Sequence, residues 1–288
     1  MTRRNAMKTQ PAVSDRRGFL RSCAKTLAAA AVLFGAFAGR SLSAIAKAAA
    51  AARAAFPATG PIPGYDWTKH RWAFGVDATK CIGCLRCAEA CKVENHVPFN
   101  PHEFRTWVER YVYLEGEEKP HVDSQDDPGD VAAAGTPLNY RFDDRYRNAK
   151  VEKAFFVPKL CNHCENPPCV QVCPVGATYK TPDGVVLIDK NYCIGCRYCV
   201  QACPYGARYF NEDTHTADKC TWCYHRITKG LNPACVEACP AGARIFGDLD
   251  DAASPINEFI RSHPVRVLKP WTGNGPHVYY NGIDSEVS

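Results

Sequence analysis

Sixteen of the chain's seventeen cysteines fall into four groups of four, and no other feature limits the fold so much. The groups are Cys81, Cys84, Cys87, Cys91; then Cys161, Cys164, Cys169, Cys173; then Cys193, Cys196, Cys199, Cys203; then Cys220, Cys223, Cys235, Cys239. In the first and third groups the spacing is C-x2-C-x2-C-x3-C. Thiols two residues apart on a tight loop can reach neighbouring corners of one compact object, so each group is expected to fold around something. The 21 prolines and 20 glycines in 288 residues suit such a loop-rich body.

A cubane iron–sulfur cluster takes four thiolates, so sixteen thiolates hold four [4Fe-4S] clusters with none left over. The third group, CIGCRYCVQACP, is the bacterial ferredoxin run, in which the fourth cysteine ligates the other cluster of a pair. The chain reads as a conductor of single electrons. Structural zinc is the main rival, because Cys220-x2-Cys223 with Cys235-x3-Cys239 has the form of paired knuckles. C-x2-C-x2-C triplets are rare in zinc sites, and regular spacing, with the export signal at the N-terminus, argues against disulfides. A zinc-ribbon scaffold without electron transfer is the alternative reading. A reductase using one cluster as its active site would need an open iron position, and the complete cysteine sets argue against that.

Within the loops, Gly83 and Gly195 are expected to allow close approach, and Ile82 and Ile194 to shield the clusters. His163 and His225 lie inside cysteine groups and read as structural or surface residues; Trp222 and Tyr224 read as packing. No Ser–His–Asp set, phosphate-binding glycine loop or paired catalytic carboxylates stand out, so no substrate site is expected.

The N-terminus contains Ser14-Asp15-Arg16-Arg17-Gly18-Phe19-Leu20, an apolar run from Thr26 to Gly39, and small residues at Ala44-Ile45-Ala46. That order is a secretory leader, too short in its apolar part to span a membrane, and the paired arginines mark twin-arginine export. Chemistry agrees: clusters are built where thiols stay reduced, so a cluster protein bound for the periplasm crosses folded. Cys23, the odd cysteine, falls in this leader and is expected to be discarded. Residues 1–46 carry +7, so the remainder of a chain of formal charge +5 carries −2. Nothing electrostatic favours nucleic-acid binding.

The expected organisation is a leader at 1–46, a linker at 47–69 containing the proline-rich Pro57–Gly64, a four-cluster region at 70–250 with an insertion at 92–160, and a tail at 251–288. Trp72–Asp77 and Val185–Asp189 are apolar, strand-like runs that each end in Asp four residues before a CIGC. The repeated unit reads as strand, tight loop, and short helix carrying the fourth cysteine. Three exits repeat as Cys173-Pro-Val-Gly-Ala, Cys203-Pro-Tyr-Gly-Ala and Cys239-Pro-Ala-Gly-Ala, where proline ends the helix and glycine permits a left-handed turn. Cys91 lacks that ending. Thr106–Leu114 is expected to be a strand, Glu115–Asn148 a long surface loop, and Ser254-Pro255 a helix start. Val265–Leu268 and His277–Tyr280 are expected short strands.

The four cysteine groups, in this order, resemble the iron–sulfur subunits of the complex iron–sulfur molybdoenzyme family over about residues 70–250. With its own twin-arginine leader, the chain is most similar to the periplasmic subunits called NrfC or DsrO. The resemblance implies an α+β fold of two ferredoxin-like dicluster modules with an inserted segment and a C-terminal tail. It also implies the ligand sharing. One pair of clusters would use Cys81, Cys84, Cys87 with Cys239, and Cys220, Cys223, Cys235 with Cys91. The other would use Cys161, Cys164, Cys169 with Cys203, and Cys193, Cys196, Cys199 with Cys173. The implied partners are a quinone-reactive, polytopic membrane subunit of the NrfD type, through which the chain would associate peripherally with the membrane, and a periplasmic redox partner, a cytochrome c or molybdopterin subunit. Direction of flow is open: the membrane partner would serve either as quinol oxidiser or as quinone reducer.

Overall fold

The computed structural model describes residues 62–99, 103–124 and 146–287. The expected leader, Cys23, most of the linker and residues 125–145 of the expected long loop lie outside them. The described residues belong to one unit, Ile62–Ser288.

At its centre is strand β1 (Trp72–Asp77), hydrogen-bonded in parallel to β10 (Val278–Asn281) and antiparallel to β9 (Arg244–Asp248). Alternation sorts its side chains between two faces. Phe74 and Val76 join the main core, whereas Ala73 packs with Ile256 and Phe259 of the C-terminal helix Pro255–Ser262. Gly75 is small because that helix lies close: a Cβ there would sit 2.8 Å from the Phe259 ring. The carboxylate of Asp77 then ends the strand, accepting from the Thr79 backbone and hydroxyl and from Asn281 Nδ2.

A second sheet is made by the insertion. β2 (Thr106–Leu114) runs antiparallel between β3 (His121–Ser124) and β4 (Val151–Leu160). Two hairpins complete the strands: β5 (Thr178–Lys180) with β6 (Val186–Ile188), and β7 (Arg208–Asn211) with β8 (Thr216–Lys219). Short helices lie between them: α1 (Arg86–Asn95), α2 (Pro168–Gln171), α3 (Tyr198–Gln201), α4 (Tyr224–Ile227), α5 (Ala234–Glu237) and α6 (Pro255–Ser262). The fold is α+β. Among the described residues no helix is long and apolar enough to cross a membrane.

Four sequence expectations need correction. Helices α2, α3 and α5 carry the third cysteine of their groups, and the fourth lies just past the helix end; only in α1 does the fourth, Cys91, lie inside. The expected loop after Leu114 contains strand β3, because Arg110 of β2 reaches Asp123 with two hydrogen bonds. Val265–Leu268 forms only an isolated bridge, Arg266 with Tyr280, on the outer side of β10. Ser254 does sit at the helix start, but its hydroxyl accepts from Asp248 N in β9 rather than from the helix.

Candidate metal centres

Each cysteine loop winds through left-handed backbone. The two CIGC loops do so with Gly83 (φ +66) and Leu85 (φ 60), and with Gly195 (φ +70) and Arg197 (φ 63). The other two use His163 (φ 42), and Trp222 (φ 53) with Cys223 (φ 51). A left-handed non-glycine residue costs about 1–2 kcal/mol, so such turns persist where the surroundings enforce them. In the fourth loop Trp222 N is thereby brought to 3.4 Å from Cys220 Sγ; for the third, strand β8 supplies the donor, Ala217 N at 3.4 Å from Cys193 Sγ. The glycines after the exit prolines, Gly176, Gly206 and Gly242, all have positive φ, as their spacing led us to expect.

The thiols gather in mixed sets. A small cavity is lined by Cys81, Cys84 and Cys87 from one loop and by Cys239 from the far end of the chain. A second cavity of the same size is lined by Cys161, Cys164 and Cys169 with Cys203. Two cavities of equal volume with the same three-plus-one set of thiols suit a common occupant. The wholly buried Cys91 faces Cys220, Cys235 and Cys223, and Asn95 Nδ2 lies 3.5 Å from Cys91 Sγ and 3.6 Å from Cys223 Sγ. Helix α1 brings these partners together by packing on α5, which holds Cys235. Likewise α2 packs on α3, setting Cys173, two residues past α2, beside the segment that holds Cys199. Cys193 and Cys199 share a small apolar cluster with Cys169.

The donor chemistry fits an iron–sulfur cluster better than one ion. Among the described residues, no three His, Cys, Asp or Glu side chains close on a point as a mononuclear site requires. All sixteen described cysteines are free thiols. Burial above all raises several of the buried ones: Cys164 and Cys220 are pushed up to about 12 by burial and, next, by Cys161, while Cys91 and Cys235 also rise. For Cys81, pushed up to about 11, burial again dominates. Crowded, buried thiols release their protons when a metal takes their place, so loading is coupled to proton release. Arg244, buried beside the first cavity, has Nε and Nη1 without acceptors, which is an opening for cluster sulfur.

His163 is not a surface residue. It is fully buried, with Nδ1 accepting from Val186 N at 2.9 Å and Nε2 donating to Cys220 O at 3.1 Å; burial above all holds it well below the ordinary histidine range, and therefore neutral. It thereby ties the second cysteine loop to the fourth, stacked on Trp222 at 4.1 Å. His225 is exposed and pairs with Glu94. Trp222 and Tyr224 are buried packing residues, as expected, and Tyr224 donates to Asp183. Ile82 and Ile194 shield less than expected: they are 63% and 65% exposed, although Ile82 lines the first cavity. Buried cations near the thiols escaped sequence reading: Arg208, Lys219 and Arg244, and Arg105, which is paired with Asp218. Two of them carried a signal. The exits read CPYGAR and CPAGAR, with arginine five residues after Cys203 and Cys239.

Comparison with known proteins agrees with this geometry. Residues 80–177 and 152–249 each match a 4Fe-4S dicluster domain. The chain is 42% identical over 220 residues to a tetrathionate reductase subunit of Salmonella typhimurium, spanning 75% of this chain and 74% of that one. It is 47% identical over 210 residues to the like-named subunit of Archaeoglobus fulgidus (73% and 81%). To the arsenate respiratory reductase iron–sulfur subunit ArrB of a Shewanella species it is 33% identical over 253 residues (71% and 93%). Two dicluster domains and sixteen cysteines fit four [4Fe-4S] clusters.

Proposed function

The chain belongs to the iron–sulfur subunits of the complex iron–sulfur molybdoenzyme family, electron-transfer subunits of reductase complexes, and on that footing we propose that it relays single electrons between a membrane subunit and a periplasmic redox partner. The clusters, once bound, supply the one-electron chemistry; the chain supplies insulation, spacing and tuning. Their ligands are four quartets: Cys81, Cys84, Cys87 with Cys239; Cys220, Cys223, Cys235 with Cys91; Cys161, Cys164, Cys169 with Cys203; and Cys193, Cys196, Cys199 with Cys173.

One observation carries the relay: burial changes along the quartets. The quartet of Cys91, Cys220, Cys223 and Cys235 is buried throughout, and that of Cys161, Cys164, Cys169 and Cys203 nearly so. Each of the other two has one exposed thiol, Cys84 or Cys196, next to an exposed isoleucine, Ile82 or Ile194. Wet ends and a dry middle are what a conductor needs if electrons enter at one end and leave at the other. Around Cys196 the apolar surface widens, with Tyr192, Ile194 and Tyr198 all exposed. Such a patch suits a protein partner.

The partner on one side is a quinone-reactive NrfD-type membrane subunit, and on the other a cytochrome c or molybdopterin subunit. The chain reaches the periplasm folded, through the twin-arginine route, and its membrane association is peripheral. Gentle solubilisation of membranes under anaerobic conditions tests this. The expected result is co-purification with a polytopic protein, four irons per cysteine quartet, and paramagnetic signals on reduction. Recovery as a lone, colourless, iron-free chain overturns it, and zinc in place of iron would favour the scaffold reading.

A further inference from the structure

We propose that Arg244, Lys219 and Arg208 are fixed positive charges standing one in each gap between successive quartets, and that each eases reduction on both sides of its gap. The inference rests on the ligand quartets given above.

Arg244 is 3% exposed. It lines the cavity of Cys81, Cys84, Cys87 and Cys239, and the thiols acting on its guanidinium are Cys87, Cys235 and Cys81. Cys235 belongs to the neighbouring quartet, so the charge lies between the two. Arg208 is 5% exposed and occupies the matching place in the second cavity. Its Nη2 donates to Cys169 Sγ at 3.1 Å, and its other sulfur neighbours are Cys199, from the outer quartet, and Cys161. The parallel extends further. Each guanidinium donates to a threonine at the head of a strand, Arg244 to Thr106 Oγ1 at 2.7 Å and Arg208 to Thr178 Oγ1 at 3.3 Å. Lys219 is 0% exposed and fills the remaining gap. Its Nζ donates to the carbonyls of Val186 and Cys220; burial above all, with Arg208, works against its charge, and the sulfurs of Cys161, Cys220 and Cys169 support it. These come from the two inner quartets. The order of charges and quartets is therefore Cys81 set, Arg244, Cys220 set, Lys219, Cys161 set, Arg208, Cys193 set.

A buried cation is costly unless paired. Among the described residues, none of the side-chain hydrogen bonds made by these three goes to a carboxylate; only the backbone N–H of Lys219 does, to Asp218 Oδ1 at 2.7 Å. Arg105 shows the contrast: it is also buried near Cys91, but Asp218 pairs with it at 3.0 Å and cancels its field. The counter-charge of the other three must come from the thiolate-bound clusters. An electron added on either side of a gap adds negative charge beside a cation that cannot move away, and in a dry interior that attraction is weakly screened. A structural role alone would require hydrogen bonds in these places but not positive charge.

The test is a redox titration followed by electron paramagnetic resonance on the complete complex, with iron counted first. The variants are Arg244→Gln, Lys219→Gln and Arg208→Gln, alongside the charge-keeping Arg244→Lys, Lys219→Arg and Arg208→Lys. In each glutamine variant two of four transitions should move to lower potential by about tenfold in the reduction equilibrium, which is 59 mV for one electron. The pattern needs no prior assignment of signals. The Arg244 and Lys219 variants should share one moved transition, the Lys219 and Arg208 variants another, and the Arg244 and Arg208 variants none. Charge-keeping variants should stay near the wild-type potentials. If one glutamine variant loses iron, the other two still decide the overlap. Unmoved potentials at full iron content, a uniform shift of all four, or iron loss in all three glutamine variants would overturn the proposal. A wild-type complex with fewer than four irons per quartet would instead sink the ligand reading beneath it.

Discussion

Gly195 and Gly206 both take left-handed backbone, at φ +70 and φ +64, but only Gly195 is crowded. A Cβ on Gly195 would lie 2.6 Å from the His215 carbonyl, whereas one on Gly206 would meet nothing within 4 Å. Gly206→Ala should therefore cost only the backbone term, about 1 kcal/mol, and keep full iron content. Gly195→Ala should cost at least about twice that and empty the Cys193 quartet, seen as iron loss with one missing paramagnetic signal. The need for glycine in CIGC was legible from the motif; that the obstacle is a backbone carbonyl from the β7–β8 turn was not. Cys91→Ser separates the crossed from the uncrossed ligand arrangement. Crossing predicts loss of the signal assigned to Cys220, Cys223 and Cys235, with the Cys81-loop signal kept, and electron paramagnetic resonance of the variant reads which one goes. His163 illustrates the limit of sequence at this scale. A histidine between two cysteines offers no sign that both its nitrogens will be used by distant backbone, at Val186 and Cys220.

At the scale of elements, periodicity was a good guide where a strand is apolar and a poor one where it is short. β1 and β2 lie where their Trp, Val, Phe and Tyr content indicated, and β2 has the expected bounds, Thr106–Leu114. β3 is four residues long, with His121 and Val122 both exposed, so nothing in its composition separates it from loop. The junction of β9 with α6 depends on side-chain hydrogen bonds. Asp248 accepts from Arg71 N at 2.9 Å, from Asp250 N at 3.0 Å and from His70 Nδ1 at 2.7 Å. Burial works to raise its carboxyl, but these donors outweigh that and hold it below the ordinary carboxylate range. A folded-state value below the unfolded one means the stabilisation is fully present above about pH 4 and is lost as pH falls through the folded value. Asp248→Asn should thus lower stability by about 2 kcal/mol at pH 7, the scale of a hydrogen bond to a charged group. Thermal melts of the two proteins should converge as pH drops below 4; a gap that stays constant with pH would refute the assignment.

For the molecule as a whole, the clusters take the place of core. Cys87, Cys161, Cys164, Cys220 and Cys235 are members of the same buried cluster as Phe74, Trp222 and Tyr280. An unfilled cluster site leaves these thiols crowded and buried with no metal to hold them, and where a site forms only on folding, metal-binding free energy is folding free energy. Iron removal by chelation should therefore unfold the chain, with loss of near-ultraviolet circular dichroism and rapid proteolysis tracking iron loss; native-like dichroism in iron-free protein would contradict this. Replacing Arg16 and Arg17 by lysine should hold the loaded protein in the cytoplasm, measured by fractionation. The sequence by itself determined the number of cysteine quartets, the cofactor class and the position of the longer apolar strands, because ligand spacing and two-residue alternation are local properties of a chain. Which distant thiol completes each quartet is not local: Cys239 reaches the Cys81 loop through the packing of α5 on α1, across 158 residues of chain. The same holds for the cations at Arg208, Lys219 and Arg244. A lone Arg or Lys reads as a solvated residue, and only tertiary burial without a carboxylate partner turns it into an unscreened charge between sulfur sets.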